Sequence, residues 1–278
     1  MLATTSIWAD IVGAVGCGAT VPALIPPGAD PHTFEPSLRD REIVESSNTI
    51  ISNGLGLEAS LTDLLDAARD DGVDVIEMTN DIDVLTGDHE ESDHEEADRE
   101  VAAEHEHGGD GDPHVWHDPL RVAGTLDTIA SALAASDLTT CTDAYRADLI
   151  ELDAEIEATL AVIPSTSRVL VTSHDSLAYF ADRYDFEIIG TVIPSTSTLA
   201  ETNAADLAAL AEVVERYGVP AIFTEEFESS TDAEALARRL DVDVIPLVTD
   251  SLVDEPSKDS YVEMMRANAA AIAAALAP

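Results

Sequence analysis

The chain alternates short β-rich runs with helical patterns, and it does so twice. "LATT", "VPALI", "NTIIS" and "VDVIEM" read as strands. Helical spacing separates them at residues 7–15, 37–45 and 57–69. After a further helix over 120–135, a long apolar stripe follows: Tyr145, Leu149, Leu152, Ile156, Leu160 and Ile163, stepping by four and three until Pro164 stops it. A second alternation then runs through "RVLVTS", "FEIIGTVI", "PAIFTE" and "VDVIPLV". Strands that alternate with helices pair in parallel, because the crossover helix returns the chain to the same end of the sheet. The expected architecture is therefore α/β in two lobes, each a mainly parallel four-stranded sheet flanked by helices, joined by one long helix. The divisions are an amino-terminal lobe over 1–138, a connecting helix over 139–164 and a carboxyl-terminal lobe over 165–278.

The alternation fails between Asp83 and Asp112, where the sequence is acidic, contains histidine and is poor in large apolar residues. A mobile loop is expected there. The hexamer "VIPSTS" occurs at Val162 and again at Val192 without a longer repeat around it, and reads as turn chemistry or chance. No apolar run reaches 18 residues, so no membrane span is expected.

Charge narrows the function. With 56 Asp plus Glu against 13 Lys plus Arg, the formal net charge is −43, and such a surface repels nucleic acid and anionic lipid. Acid spread over every segment, with Lys258 the only lysine, resembles the proteins of salt-loving microbes. Cys17 and Cys141 match neither a zinc knuckle nor a CxxC redox pair. Either one disulfide closing a long loop or two small buried side chains would account for them. The glycine stretches "GAVGCG" and "NGLGLE" lack the spacing of a phosphate cradle, and no GxSxG elbow is present.

The histidines carry more. "DPHTFEPS" begins at Asp30 and "DPHVWHDP" at Asp112, so one tripeptide presents a histidine twice. Ligands of open α/β sheets bind beyond the carboxyl ends of strands. His32, His174 and Asp250 each follow a predicted strand, and His114 opens a helix. Three imidazoles and one carboxylate suit tetrahedral Zn²⁺, with Zn–N bonds of about 2.0–2.1 Å.

"TTSIWADIV", "PPGADPHTFEPS", "SNGLGLEASLTDLL", "DPHVWHDP", "TSHDSLAYFADRYDFEIIG", "IFTEEFES" and the closing "TDSL…YVEMMRANAAAIAAAL" together resemble the zinc and manganese substrate-binding proteins of ABC transporters, in order and along the whole chain. The resemblance implies a rigid connecting helix with a metal held between two lobes, and it places the ligands on His32, His114, His174 and Asp250. His117 stands where the family carries an apolar residue. It reads as a surface histidine, with a second-shell role or competition for the metal as alternatives. Glu225 matches a family glutamate and is expected to support the ligands from outside or to be a plain strand-end acid. His89, His94, His105 and His107, in the acidic segment, are expected to collect metal weakly, or merely to solubilise.

The resemblance thus implies a monomeric extracellular receptor, associated with the cell surface, that gives Zn²⁺ to an ABC permease and its ATPase. No signal peptide or lipid anchor is legible in the chain. Zinc is preferred to Mn²⁺ because His174 makes the site rich in nitrogen. Two other classes compete. A zinc hydrolase needs an open coordination position that Asp250 would close, and a surface adhesin needs a module that the sequence does not offer.

Overall fold

The computed structural model describes residues 1–86, 111–133, 137–200, 202–226 and 231–278. Two all-parallel sheets organise them. The first has the order β1 (Leu2–Ala3), β2 (Thr49–Ser52), β3 (Asp74–Glu77). The expected strand at 21–25 joins this sheet only through one bridge, Ala3 with Ala23, held by Ala3 N–H to Pro22 O, Leu24 N–H to Ala3 O and Ile25 N–H to Thr4 O. Pro22, Pro26 and Pro27 surround it and lack the N–H donors that a longer ladder requires. This sheet therefore has three strands and a bridged edge instead of four strands. The second sheet, β4 (Val169–Thr172), β5 (Glu187–Thr191), β6 (Ala221–Glu225) and β7 (Asp243–Leu247), has the order β5-β4-β6-β7.

Several helices begin where short polar side chains satisfy free N–H groups. Thr5 caps α1 (Ser6–Val15), Ser37 and Asp40 form a reciprocal capping box on α2 (Leu38–Glu45), and α3 (Thr62–Asp70) completes the first sheet's cover. Asp118 caps α4 (Pro119–Ala132), whose proline occupies the first turn, where a missing N–H costs nothing. In the second half, α6 (Ala178–Tyr184) and α8 (Thr231–Leu240) flank the sheet, and Asn203 caps α7 (Ala204–Tyr217). Gly218 ends α7 at φ +64°, a left-handed position that glycine adopts without a Cβ clash.

The connection is α5 (Thr139–Leu160), 22 residues or about 33 Å long. Its buried face carries Tyr145, Leu149, Leu152, Ile156 and Leu160, the stripe legible in the sequence. That face does not stand between two separate cores. One apolar cluster runs from Ile7, Trp8 and Ile11 of α1 through Leu126 of α4 and the α5 stripe to Met264, Met265 and Ile272 of α9 (Tyr261–Leu276), and takes in Leu170 and Phe223 of the second sheet. Smaller clusters lie outside it, around Ile50 and Leu64 on one side and Ile222 and Leu236 on the other. Burial of a Leu or Ile side chain contributes about 1.5–3 kcal/mol, so the two sheets share much of what stabilises either.

Cys17, just beyond α1, is joined to Cys141 in the first turn of α5 by a disulfide with Cα atoms 5.4 Å apart and a sequence separation of 124. This settles the alternatives left open for the two cysteines. No helix among the described residues is long and apolar enough to cross a membrane.

Candidate metal centre

The site lies beyond the carboxyl ends of both sheets, and the repeated Asp-Pro-His is a device for building it. In each copy the aspartate accepts the backbone N–H of the histidine two residues on: Asp30 Oδ1 from His32 at 2.8 Å and Asp112 Oδ1 from His114 at 2.9 Å. The intervening proline fixes φ and offers no competing donor, so the turn presents its histidine in one orientation. Asp112 does more. Its Oδ1 also lies 2.7 Å from His114 Nδ1, which turns the ring so that Nε2 faces the cleft. Tyr179 secures this turn by donating to Asp112 O at 2.8 Å, while its hydroxyl accepts Leu85 N–H at 3.0 Å.

The second sheet supplies the other two groups. His174 follows β4 by two residues, with Nδ1 3.4 Å from Glu225 Oε1 at the end of β6. Glu225 also accepts the Thr249 hydroxyl. Asp250 follows β7 by three residues, and the segment before it is held by Trp116, whose Nε1–H donates to Thr249 O at 2.7 Å. The two sheets are cross-braced here: Leu252 N–H donates to Ser6 Oγ at 3.0 Å, and Gly28 N–H to Leu252 O at 2.9 Å.

One side-chain atom each from His32, His114, His174 and Asp250 lies within 4.8 Å of every other, and all four residues are buried. His32 Nε2 is 3.3 Å from His114 Nε2 and 3.8 Å from Asp250 Oδ2. Asp250 Oδ1 is 3.7 Å from His114 Nε2, and Oδ2 is 3.3 Å from His174 Nε2. Ligand atoms on a tetrahedron of Zn–N and Zn–O bonds near 2.05 Å are separated by about 3.3 Å. The spacing fits a small divalent ion.

The electrostatics fit as well. Burial drives His32 down to about 4, against the pull of Asp250, so its imidazole is neutral. Burial acts downward on His174 too, but the Asp250 carboxylate and, more weakly, Glu225 outweigh it and raise His174 to about 9. Asp250 is the reverse: burial raises it, the neighbouring imidazoles lower it further, and the net shift is well below the usual carboxylate range. Both Asp250 oxygens and both ring nitrogens of His174 lack a hydrogen-bond partner of good geometry among the described residues. Buried polar atoms left so are costly unless something fills the space between them.

One expectation changes. His117 is not a surface residue: it is fully buried, and burial lowers it to about 3. It ends the 3-10 turn Val115–His117, which is packed under α4 and α6, and its ring lies 5.6 Å from that of Trp116, outside the four-residue cluster. Glu225 lies beside a cluster histidine. Sequence reasoning missed Asp112, although the signal was present, because the aspartate of an Asp-Pro-His turn is well placed to reach the ring it positions. His89, His94, His105 and His107 lie outside the described residues.

Comparison with known proteins identifies the family. The chain is 30% identical over 291 residues to the zinc-binding protein TroA of Treponema pallidum, a match covering 100% of this chain and 88% of that protein. It is 27% identical to the manganese-binding lipoprotein MntA of Halalkalibacterium halodurans, covering 95% of this chain and 83% of the relative. The solved structure of the periplasmic zinc-binding protein TroA superposes with a TM-score of 0.86 at 27% identity, over 100% of this chain and 98% of that one. The family described as ZnuA, zinc-uptake complex component A periplasmic, matches residues 1–275, and the chain belongs to this family of metal-binding transport receptors, which are not enzymes.

Proposed function

We propose that this chain captures Zn²⁺ outside the cytoplasmic membrane with His32, His114, His174 and Asp250, and delivers it to the permease of an ABC importer. The observation that carries this reading is the convergence of three imidazoles and one carboxylate, from both sheets, into one buried cluster of tetrahedral spacing. Zinc is favoured over manganese because three of the four groups are imidazoles, which suit Zn²⁺, whereas Mn²⁺ prefers oxygen. Mn²⁺ is the alternative cargo, since one relative is named as manganese-binding. In this reading Asp112 and Glu225 orient His114 and His174 from outside the ligand set.

An extracellular or periplasmic location is supported by the family and by the Cys17–Cys141 disulfide, a bond that persists in oxidising compartments. The net charge of −43 adds a salt-rich setting to the proposal. Elemental analysis of protein purified without added metal, followed by competition between Zn²⁺ and Mn²⁺ at matched free concentrations, tests the assignment. One equivalent of zinc that manganese fails to displace is expected. Retention of neither ion would overturn the receptor reading, and preferential retention of manganese would overturn the choice of cargo.

A further inference from the structure

The Asp30 carboxylate has three partners. Its Oδ1 accepts the backbone N–H of His32 at 2.8 Å, and its Oδ2 accepts the hydroxyls of Thr33 at 3.1 Å and of Thr198 at 2.7 Å. Two of these contacts are local to the turn. The third crosses between the sheets, because Thr198 lies in the loop that follows β5.

That loop is built upon the segment carrying His174. Val192 N–H donates to Thr172 O at 2.9 Å, Ile193 N–H to Ser173 O at 2.8 Å, and Asp175 N–H to Ser195 O at 3.0 Å. Ser195 Oγ accepts Ser197 N–H at 3.0 Å, which tightens the turn leading into Thr198. These residues are the second copy of the "VIPSTS" hexamer. The first copy, at Val162, forms only a 3-10 turn after α5, closed by Ser167 N–H to Pro164 O at 2.8 Å. One peptide thus serves two purposes, and only the second copy reaches the cleft.

A continuous path of hydrogen bonds therefore runs from the His174 segment through this loop and Thr198 to Asp30, and on to His32. It lies at the outer edge of the site, where Thr33 is exposed and Thr198 half-buried. His114 and Asp250 sit deeper, held by Asp112 and by the Trp116 contact to Thr249. His32 is followed directly by the exposed Thr33, whereas His114 and Asp250 have buried residues on both sides.

We propose that the Thr198–Asp30 hydrogen bond is a latch across the cleft that sets how long a captured ion remains bound, with Thr198 as a positioning residue that acts through Asp30 on His32. This rests on the reading of His32 as a ligand. Zinc-loaded wild type, Thr198→Val and Thr198→Ser are mixed with excess chelator in a stopped-flow instrument, and dissociation and association rates are measured separately. Valine keeps the shape without the hydroxyl, and serine restores the donor. Loss of one hydrogen bond to a carboxylate at a half-buried position gives an expected rise of roughly 3- to 10-fold in the dissociation rate of Thr198→Val. Thr198→Ser is expected to release zinc at the wild-type rate. Association rates are expected to be unchanged, and any fall in the melting temperature of metal-free Thr198→Val is expected to be recovered in Thr198→Ser; a merely structural role would lower that temperature and leave the dissociation rate where it is. Wild-type dissociation from Thr198→Val, or failure of Thr198→Ser to restore it, would overturn the latch while leaving the receptor reading intact. A wild-type protein that holds no zinc would overturn both.

Discussion

His174 Nε2 stands 3.3 Å from Asp250 Oδ2 in a fully buried setting, and in the metal-free protein the two form an ion pair, because the carboxylate raises the imidazole to about 9. A metal can bind only the neutral ring, so zinc must displace this proton at any lower pH. His32, lowered to about 4, has no proton to lose near neutrality. Zinc binding near pH 7 should release about one proton from His174, and apparent affinity should climb by about tenfold per pH unit up to about 9, then level off. Calorimetry in buffers of different ionisation enthalpy measures this. An affinity that stays flat between about pH 6 and about pH 8 would refute the pairing.

Truncation of the ligand set should separate inner from outer groups. Asp112→Ala and Glu225→Gln leave the four cluster residues in place but release the rings of His114 and His174, with an expected loss of about 10- to 100-fold in zinc affinity. His32→Ala, His114→Ala and His174→Ala each remove a proposed ligand and should lose more than that, with Asp250→Ala alongside them. Chelator competition ranks the series. Wild-type affinity in any two of the histidine variants would sink the assignment.

Because the main apolar cluster is continuous from α1 through α5 to α9 and the second sheet, zinc should stabilise this protein without reshaping it. At a free concentration a hundred times Kd, linkage gives about 2.7 kcal/mol, a clear rise in Tm. Scattering profiles with and without zinc should nearly superimpose. A large compaction would show that the shared core yields, and a Tm indifferent to both zinc and chelator would show that nothing binds.

The Cys17–Cys141 disulfide spans a sequence separation of 124, and a cross-link closing a loop of that order restricts the unfolded chain by about 4.7 kcal/mol. The double variant Cys17→Ser, Cys141→Ser should lose about 2–5 kcal/mol by denaturant unfolding, with zinc affinity retained because neither cysteine belongs to the cluster. Equal midpoints for variant and wild type would mean that the bond contributes nothing in solution.

Much of this was legible beforehand, for reasons that are local. The α5 stripe is decided by side chains within a few residues of one another along the chain. The strand expected at 21–25 shrank to one bridge because its prolines remove donors from a ladder that its apolar pattern otherwise invites. His117 was misplaced because a 3-10 turn, unlike a helix or strand, gives no periodicity from which to infer its inward face. His32, His174 and Asp250 stood out through their position after predicted strands, and all four cluster residues through family resemblance. Thr198 did not, since its partner Asp30 is distant in sequence and only the folded chain pairs them.

Trp116 has one more consequence. Its ring lies 5.4 Å from that of His114, and its indole N–H is bonded at 2.7 Å to the carbonyl of Thr249, the residue before Asp250. The other tryptophan, Trp8, is spent on Asn53 at 2.9 Å. Any ion that fixes His114 and Asp250 must alter the surroundings of one indole on two sides at once. The unlabelled protein therefore carries its own optical reporter, and its emission will follow arrival and departure of metal in real time.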